Sequence, residues 1–426
     1  MRILHAPTNT ANQPGYIVKA LRRLGHEAEL WEYGTNPYGF PVDRRISLDS
    51  RDPRVFWDTF REAMDRFEIL HFHFGRSLFP SQWRGLPAFW DLPIYRALGK
   101  RVFFTFHGSD CRIRRIHEEV NPWSYYRFSD VVADDDRTAK RIEIIRTYAH
   151  QMFVVSPDYL PFVPEATVLP RVIDLDEWPS QPVEQREAPT ILHVPSRRGT
   201  KGTTFILEGI AELERAGLDF TFKLLEGVSH AEAREAIRDA DIVIDNVITG
   251  DYELVSIEGM ASSRVAVANI QENSQETFPN APVYSVEPST FVPRMRALIE
   301  DLDLRRRLAV AGRPYVAEVH DSLPIASRLV EHYQHAASHP PGRSFPGWAS
   351  MDDARSIERL EQRMATYERA LARSRTESAI LRRRLGLAPD VPVGDGSLKD
   401  LLPSPVRLAL RRARARIASR GAGRST

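Results

Sequence analysis

The stretch "ILHVPSRRGTKGTTFILEG", residues 191–209, decides the reading of the chain, because its first six residues nearly repeat "ILHAPT" at positions 3–8. Buried parallel strands favour Ile, Leu and Val, so two greasy runs ending in a proline are weak evidence on their own. The segments downstream of each copy are stronger evidence. After the first come turn residues Asn9, Asn12, Pro14 and Gly15, the amphipathic run "YIVKALRRLG" (16–25) and the strand "EAELWEY" (27–33). After the second come the helical run "TTFILEGIAELERAG" (203–217), the strand "FTFKLLE" (220–226), the helical run "AEAREAIRDA" (231–240) and the strand "DIVIDNV" (241–247). A strand–helix series that restarts predicts an α/β protein with two doubly wound, Rossmann-like domains facing across a cleft.

Further strands are expected at 68–74, 101–107, 151–156 and 167–170. The first domain is assigned to 1–178, the proline-bearing segment 179–189 is a linker, and the second domain is 190–337. The Pro/Gly-rich 338–349 is a second linker. In 350–386, Ile357, Leu360, Met364, Tyr367, Leu371, Leu381 and Leu385 fall on alternating three- and four-residue steps, with Ser374 and Ser378 at the two weak positions, the pattern of a self-associating coiled coil. The alternative is a single helix packed on the body. Residues 387–426 are a spacer and a basic amphipathic tail. Its 404–424 portion carries Arg407, Arg411, Arg412, Arg414, Arg416, Arg420 and Arg424 without an acid. That tail suits an anionic membrane surface or an acidic protein partner, and both stay open.

At 426 residues with net charge +1, the chain has no global attraction to nucleic acid, and none is expected as partner. A single cysteine, Cys111, excludes an intrachain disulfide. With no signal-like segment and no long apolar run, the expected location is cytoplasmic, with the tail allowing peripheral attachment at the inner face of the plasma membrane.

In doubly wound domains, ligands bind beyond the carboxyl ends of strands, where helix N-termini favour phosphate. "SRRGTKGTT" (196–204) lies in such a place. Arg198, preferred over Arg197, offers a bidentate grip, Lys201 a point charge, and Gly199 and Gly202 a close backbone approach. Neither a Walker A spacing nor a GxGxxG is present, which argues against a P-loop enzyme and a dinucleotide oxidoreductase. The acids Asp134-Asp135-Asp136 open a helical run and read as caps, so no metal is expected. His107 ends an apolar strand and is followed by Gly108-Ser109-Asp110, a strand-end loop that favours a cleft role over a core one.

The segment "GDYELVSIEGMA" (250–261) resembles the donor-binding signature of retaining GT-B glycosyltransferases of family 4, a Glu, seven residues and a second Glu before an Ala-Met-Ala helix. "PSRRGTKGT", "FFTFHGSD", "VVSPDYLPFVPEATVLPRVIDLDEW" and "DLRRRLAVAGRPYVAEVHD" are similar to further stretches of that family, and the likeness covers roughly 1–337. The resemblance implies that Glu258 contacts the nucleotide ribose, and that Tyr252, Glu253, Leu254 and Val255 wrap the diphosphate and sugar. It implies that Lys201, Gly202 and an arginine hold phosphate, that His107 and Asp110 face the cleft, and that Asp174 lies in the crossover. Asn12, Gln13 and Gly15 form the matching acceptor-side loop. It implies retention of configuration without a metal, the cations supplying the charge a divalent ion supplies elsewhere. Two departures stand out. Gly250 replaces the first Glu, and Ser262-Ser263-Arg264-Val265 replaces a Gly- and Pro-bearing turn. The missing carboxylate leaves the sugar unassigned, with Asp251 and Glu253 as out-of-register substitutes.

The expected function is transfer of a hexose-type sugar from a nucleotide diphosphate donor to a glycan or lipid-linked acceptor, in cell-envelope or capsular polysaccharide synthesis. The alternative is a catalytically silent sugar-nucleotide-binding scaffold that organises partners through its coiled coil. A non-hydrolysing epimerase shares the fold, but the sequence offers no convincing pair of acid/base carboxylates.

Overall fold

A computed structural model describes residues 1–34, 39–46, 53–79, 88–179 and 185–338. The expected coiled coil and basic tail, residues 180–184 of the first linker and 339–349 of the second lie outside the described residues.

The first sheet contains β1 (Arg2–Ala6), β2 (Glu27–Tyr33), β3 (Arg44–Ile46), β4 (Ile69–His73), β5 (Arg101–Phe106), β6 (Gln151–Val154) and β7 (Thr167–Val168), in the order β3-β2-β1-β4-β5-β6-β7. The second contains β8 (Thr190–His193), β9 (Thr221–Leu224), β10 (Ile242–Asn246), β11 (Val265–Ala268) and β12 (Val283–Ser285), in the order β12-β11-β10-β8-β9. Every pairing is parallel. The two repeated phrases therefore form β1 and β8, each an interior strand of its own sheet. Both are buried on their two faces, which is why they read as unbroken apolar runs.

The helices of the first half are α1 (Gln13–Arg23), α2 (Pro53–Arg66), α3 (Leu92–Ala97), α4 (Arg114–Val120) and α5 (Asp135–Tyr148). Those of the second are α6 (Arg198–Lys201), α7 (Thr203–Arg215), α8 (His230–Asp239), α9 (Leu254–Ala261), α10 (Glu272–Thr277), α11 (Phe291–Glu300), α12 (Leu302–Val319) and α13 (Ser322–Ser338). At the start of α5, Asp134 accepts the Arg137 N–H at 3.0 Å, and Asp135 accepts the backbone N–H groups of Arg114 and Arg115. These acids tie backbone together, as helix-start acids do.

Two packing features differ from the domain limits read in the sequence. Helix α13, assigned to the second domain by the 190–337 limit, returns to the first sheet. There Ile325, Ala326, Leu329 and Tyr333 join Ile3, Ile17, Leu21 and Phe153 in one apolar cluster. Conversely, Tyr125 and Tyr126, which follow α4, pack with Ile206, Ile210, Val247 and Ile248 of the second domain. Each lobe thus buries apolar surface from the other half of the chain, at about 25 cal/mol per Å² of area removed from water. Hydrogen bonds follow the same crossings: Asn121 Nδ2 donates to the Ile248 carbonyl at 3.0 Å, and Asn273 Nδ2 to the Pro157 carbonyl at 3.1 Å.

Candidate functional site

A cleft of about 490 Å³ lies between the lobes, beyond the carboxyl ends of β5, β8 and β9. The first lobe contributes Thr10, Ala11, Gln13, Phe40, His107, Val155 and Arg171. The second contributes Val194, Pro195 and Ser196 after β8, Lys201 from α6, Leu225, Gly227, Val228, Ser229, His230 and Ala233 around the start of α8, and Glu253, Leu254, Val255 and Glu258 at α9.

Lys201 is the charged centre of the second-lobe wall. Gly202, at φ 74, ends α6 and starts α7, so the chain turns back just after Lys201. The lysine is buried, with Nζ 2.6 Å from Asp245 Oδ1 and in contact with Glu253 Oε2. Burial works against its charge, but the Asp245 and Glu253 carboxylates hold its pKa above the usual value. Asp245 also accepts N–H from Glu253 at 2.7 Å and from Ser256 at 3.2 Å. It therefore fixes the start of α9, whose first-turn N–H groups at Leu254 and Val255 have no carbonyl one turn back to bond.

Gly202 tolerates no side chain. A Cβ there would lie 2.6 Å from Val247 Cγ2 in a left-handed backbone. Gly202→Ala is expected to cost roughly 1–3 kcal/mol, the scale of local backbone strain. Chemical denaturation measures it, and an unchanged midpoint would show that the turn has room.

Arg171 supplies the second cation on the cleft wall. It donates to Tyr159 OH at 2.8 Å and to the Tyr252 carbonyl at 3.3 Å, and lies 3.5 Å from Glu253 Oε1. No motif in the sequence marks it; Asp174, on the same crossover, is the residue the resemblance points to. Asp174 instead accepts Lys19 at 2.6 Å and the Asp176 N–H. Burial opposes ionisation of Glu253, yet Lys201, Arg171 and Arg112 hold its pKa down to about 2. Glu253 is thus an ionised carboxylate clamped between cations that an incoming anion would have to share.

Glu258 is also buried, and His230 Nε2 lies 2.9 Å from its Oε1. Phe40 of the first lobe meets the His230 ring edge-on at 5.4 Å. This end of the cleft is apolar around Val194, Leu225, Val228 and Ala233, with Glu258 as its buried acceptor. Neither Phe40 nor His230 carried a motif that singled it out.

Of the residues expected at the site, Lys201, Glu258, Glu253, Leu254, Val255, His107 and Gln13 line the cleft. Others stand elsewhere. Arg198 lies on the surface, paired bidentately with Glu226 across the ends of β8 and β9, and Arg197 is exposed at the start of α6. The phosphate-gripping arginine expected from "SRRGTK" is therefore not on the wall, because Glu226 offers it a nearer partner. Asp110 turns back to accept N–H groups from His107 at 2.9 Å and Gly108 at 2.8 Å, which shapes the loop. Asn12, at φ 56, accepts from Asn9 Nδ2, and a Cβ on Gly15 would meet its Oδ1 at 2.2 Å. These two close the turn that presents Gln13, which is tied to both N–H and carbonyl of Val172.

Tyr252 is buried, bonded to Tyr315 at 2.7 Å and His320 at 2.9 Å. Gly250 has φ +106, and a Cβ would lie 2.9 Å from Gln271 Cδ. A glutamate there would need both a strained backbone and displacement of Gln271. Of the two substitutes, Glu253 faces the cleft, while Asp251 is turned to Ser156 of the first lobe.

Ser156 holds two carboxylates, Asp251 and Asp158, with one hydroxyl proton. Burial, then the Asp158 charge, pushes the Asp251 pKa up from 3.8 to about 7. The folded state then binds more protons than the unfolded one between those values. This contribution to stability is full below about pH 4 and is lost as pH rises through about 7. Asp251→Asn, locked neutral, is expected to flatten the fall of melting temperature over that window. Parallel pH profiles of wild type and variant would refute the assignment.

No protein-family model matches the sequence, and no curated protein matches it. Solved structures do match. Sucrose-phosphate synthase from Thermosynechococcus elongatus is 14% identical, with a TM-score of 0.58 over 79% of this chain and 100% of that one. The catalytic domain of starch synthase IV from Arabidopsis thaliana, bound to ADP and acarbose, is 13% identical, with a TM-score of 0.50 over 80% and 100%. An α-glucosyltransferase in complex with UDP and a DNA 13-mer is 12% identical, with a TM-score of 0.50 over 78% and 99%. These neighbours are glycosyltransferases, and what the likeness establishes for this chain is the GT-B fold: two parallel α/β lobes around a cleft.

Proposed function

We propose that this chain is a glycosyltransferase that takes a hexose-type sugar from a nucleoside diphosphate donor, with retention and without a metal, as the family 4 resemblance implies. The observation that carries the reading is the convergence of Lys201, Arg171 and the start of α9 with Glu258 on one interlobe cleft. Breaking the anomeric bond builds negative charge on the departing diphosphate. Two buried cations and the Leu254 and Val255 N–H groups, which have no partner among the described residues, are suited to stabilise it. Glu258 is the ribose acceptor, with the base in the apolar end by Phe40 and Val228. His107 and Gln13 meet the sugar or the acceptor from the opposite lobe.

The acceptor is proposed to be a glycan or a lipid-linked one in cell-envelope or capsular polysaccharide synthesis, with the chain cytoplasmic and held near the membrane by its basic tail. Incubation with UDP-glucose and ADP-glucose should release nucleoside diphosphate above the no-enzyme rate. Calorimetric binding of UDP or ADP without any release would favour the second reading, a silent scaffold. That reading is motivated by Gly250, where Gln271 occupies the room of the missing carboxylate. Deleting 350–426 is expected to leave a folded body with fewer subunits per particle by light scattering. An unchanged subunit number would count against the coiled coil.

A further inference from the structure

Five buried groups form one continuous hydrogen-bonded file that ends at His107. Thr105 Oγ1 lies 2.7 Å from His71 Nε2, and His71 Nδ1 lies 2.6 Å from Tyr333 OH. Tyr333 OH is 3.3 Å from His5 Nε2, and His5 Nδ1 is 2.9 Å from His73 Nε2. His73 Nδ1 is 3.1 Å from His107 Nε2, and the His107 ring lines the cleft. Strand geometry makes the file possible. His71 and His73, like Thr105 and His107, are two residues apart and share a sheet face, next to His5 of β1, and α13 lowers Tyr333 onto that face. The His71 and His73 rings stack at 4.8 Å and 3°.

Such a file carries information. A neutral imidazole has one N–H and one bare nitrogen, and a phenol has one proton. Were Tyr333 to accept from both His71 and His5, its own buried proton would have no acceptor among the described residues. With that case excluded, two arrangements remain, with all protons pointing to His107 or all pointing away. Burial keeps the four histidines neutral, His5 and His107 having pKa values lowered to about 3 and His71 and His73 well below the usual value.

The far end selects the arrangement. Thr105 is 3% exposed, and His71 Nε2 is the one hydrogen-bond partner of its hydroxyl among the described residues. Were His71 to donate to it, the threonine proton would be buried with no acceptor, an unfavourable state. Thr105 must therefore donate. The polarity propagates through His71, Tyr333, His5 and His73, each imidazole carrying its proton on Nδ1. His107 then accepts at Nε2 and carries its own proton on Nδ1, which has no protein partner among the described residues.

We propose that Thr105 is a positioning residue that, through this file, locks His107 as the Nδ1–H tautomer and offers the cleft a neutral hydrogen-bond donor suited to an oxygen of the sugar or acceptor. The role in transfer rests on the proposed function; the tautomer does not. The test is nitrogen-detected NMR of the ¹⁵N-histidine-labelled full chain without ligand, with His107 assigned by its loss in His107→Asn. The expected result is an Nδ1–H tautomer at His5, His71, His73 and His107. Thr105→Val should release the polarity, so that His107 shows Nε2–H, while Thr105→Ser keeps the wild-type pattern. Tyr333→Phe cuts the file at a second point and should release His5, His73 and His107. An Nε2–H tautomer at His107 in the wild type, or one unaffected by both Thr105→Val and Tyr333→Phe, overturns the proposal. In turnover, Thr105→Val should lower kcat roughly tenfold with serine restoring it, the scale of one misdirected hydrogen bond. Absence of turnover in the wild type would count against the transferase reading, while the spectra would still decide the tautomer.

Discussion

Lys201→Ala is expected to lower kcat at least ~100-fold, with a smaller change in the KM for donor. The reason for the split is that charge on the diphosphate grows as the anomeric bond breaks, so a buried cation is worth more in the transition state than in the bound donor. The same substitution has a structural cost. It leaves Asp245, whose side chain has 0% exposure, without its lysine. Breaking a buried pair costs on the order of 3–5 kcal/mol. Asp245 keeps its bonds to Glu253 N–H and to Ser256, and Glu253 keeps Arg171, which limits that cost. A variant that melts earlier yet still binds nucleoside diphosphate, with kcat reduced as stated, fits the account. Wild-type kcat in a folded Lys201→Ala protein would remove the lysine from the chemistry.

Glu258→Ala is expected to act on the other parameter. A buried carboxylate accepting ribose hydroxyls forms charge-assisted hydrogen bonds of about 1.5–3 kcal/mol each. These bonds are equally present before and during bond breaking, so kcat/KM should fall about 100-fold mainly through a raised KM. The structure adds a partner, since His230 lies 2.9 Å from the same carboxylate and would be left beside a void. Calorimetry on nucleoside diphosphate alone separates the two variants. Binding should be weakened more in Glu258→Ala than its kcat is reduced, and the reverse should hold for Lys201→Ala. Equal binding in wild type and Glu258→Ala would mean that the ribose lies elsewhere.

The architecture was legible because interior parallel strands leave an unmistakable trace: β1 and β8 are covered on both faces and must be apolar throughout. Strand β3, with three residues at the sheet edge, has no such requirement and left no pattern. The return of α13 was hidden for a different reason. Its apolar face is ordinary for a helix, and nothing local says which lobe it covers. At the site, Lys201 and Glu258 were readable because each sits in a motif anchored to a strand end or helix start. Arg171 was not, because its meaning comes from Glu253 and Tyr252, far away in sequence. Arg198 misled because a basic loop before a helix suits phosphate in general, while its actual partner, Glu226, is set by how β8 and β9 pair. Gly250 was visible as a departure, but only packing shows Gln271 in the space beside it.

The most direct test is a crystal structure of the full chain with UDP or ADP. The diphosphate is expected within about 3 Å of Lys201 Nζ and of the N–H groups opening α9, with a ribose hydroxyl on Glu258. A nucleotide bound outside the interlobe cleft, or diphosphate turned away from Lys201 with Glu253 still holding it, would contradict the account.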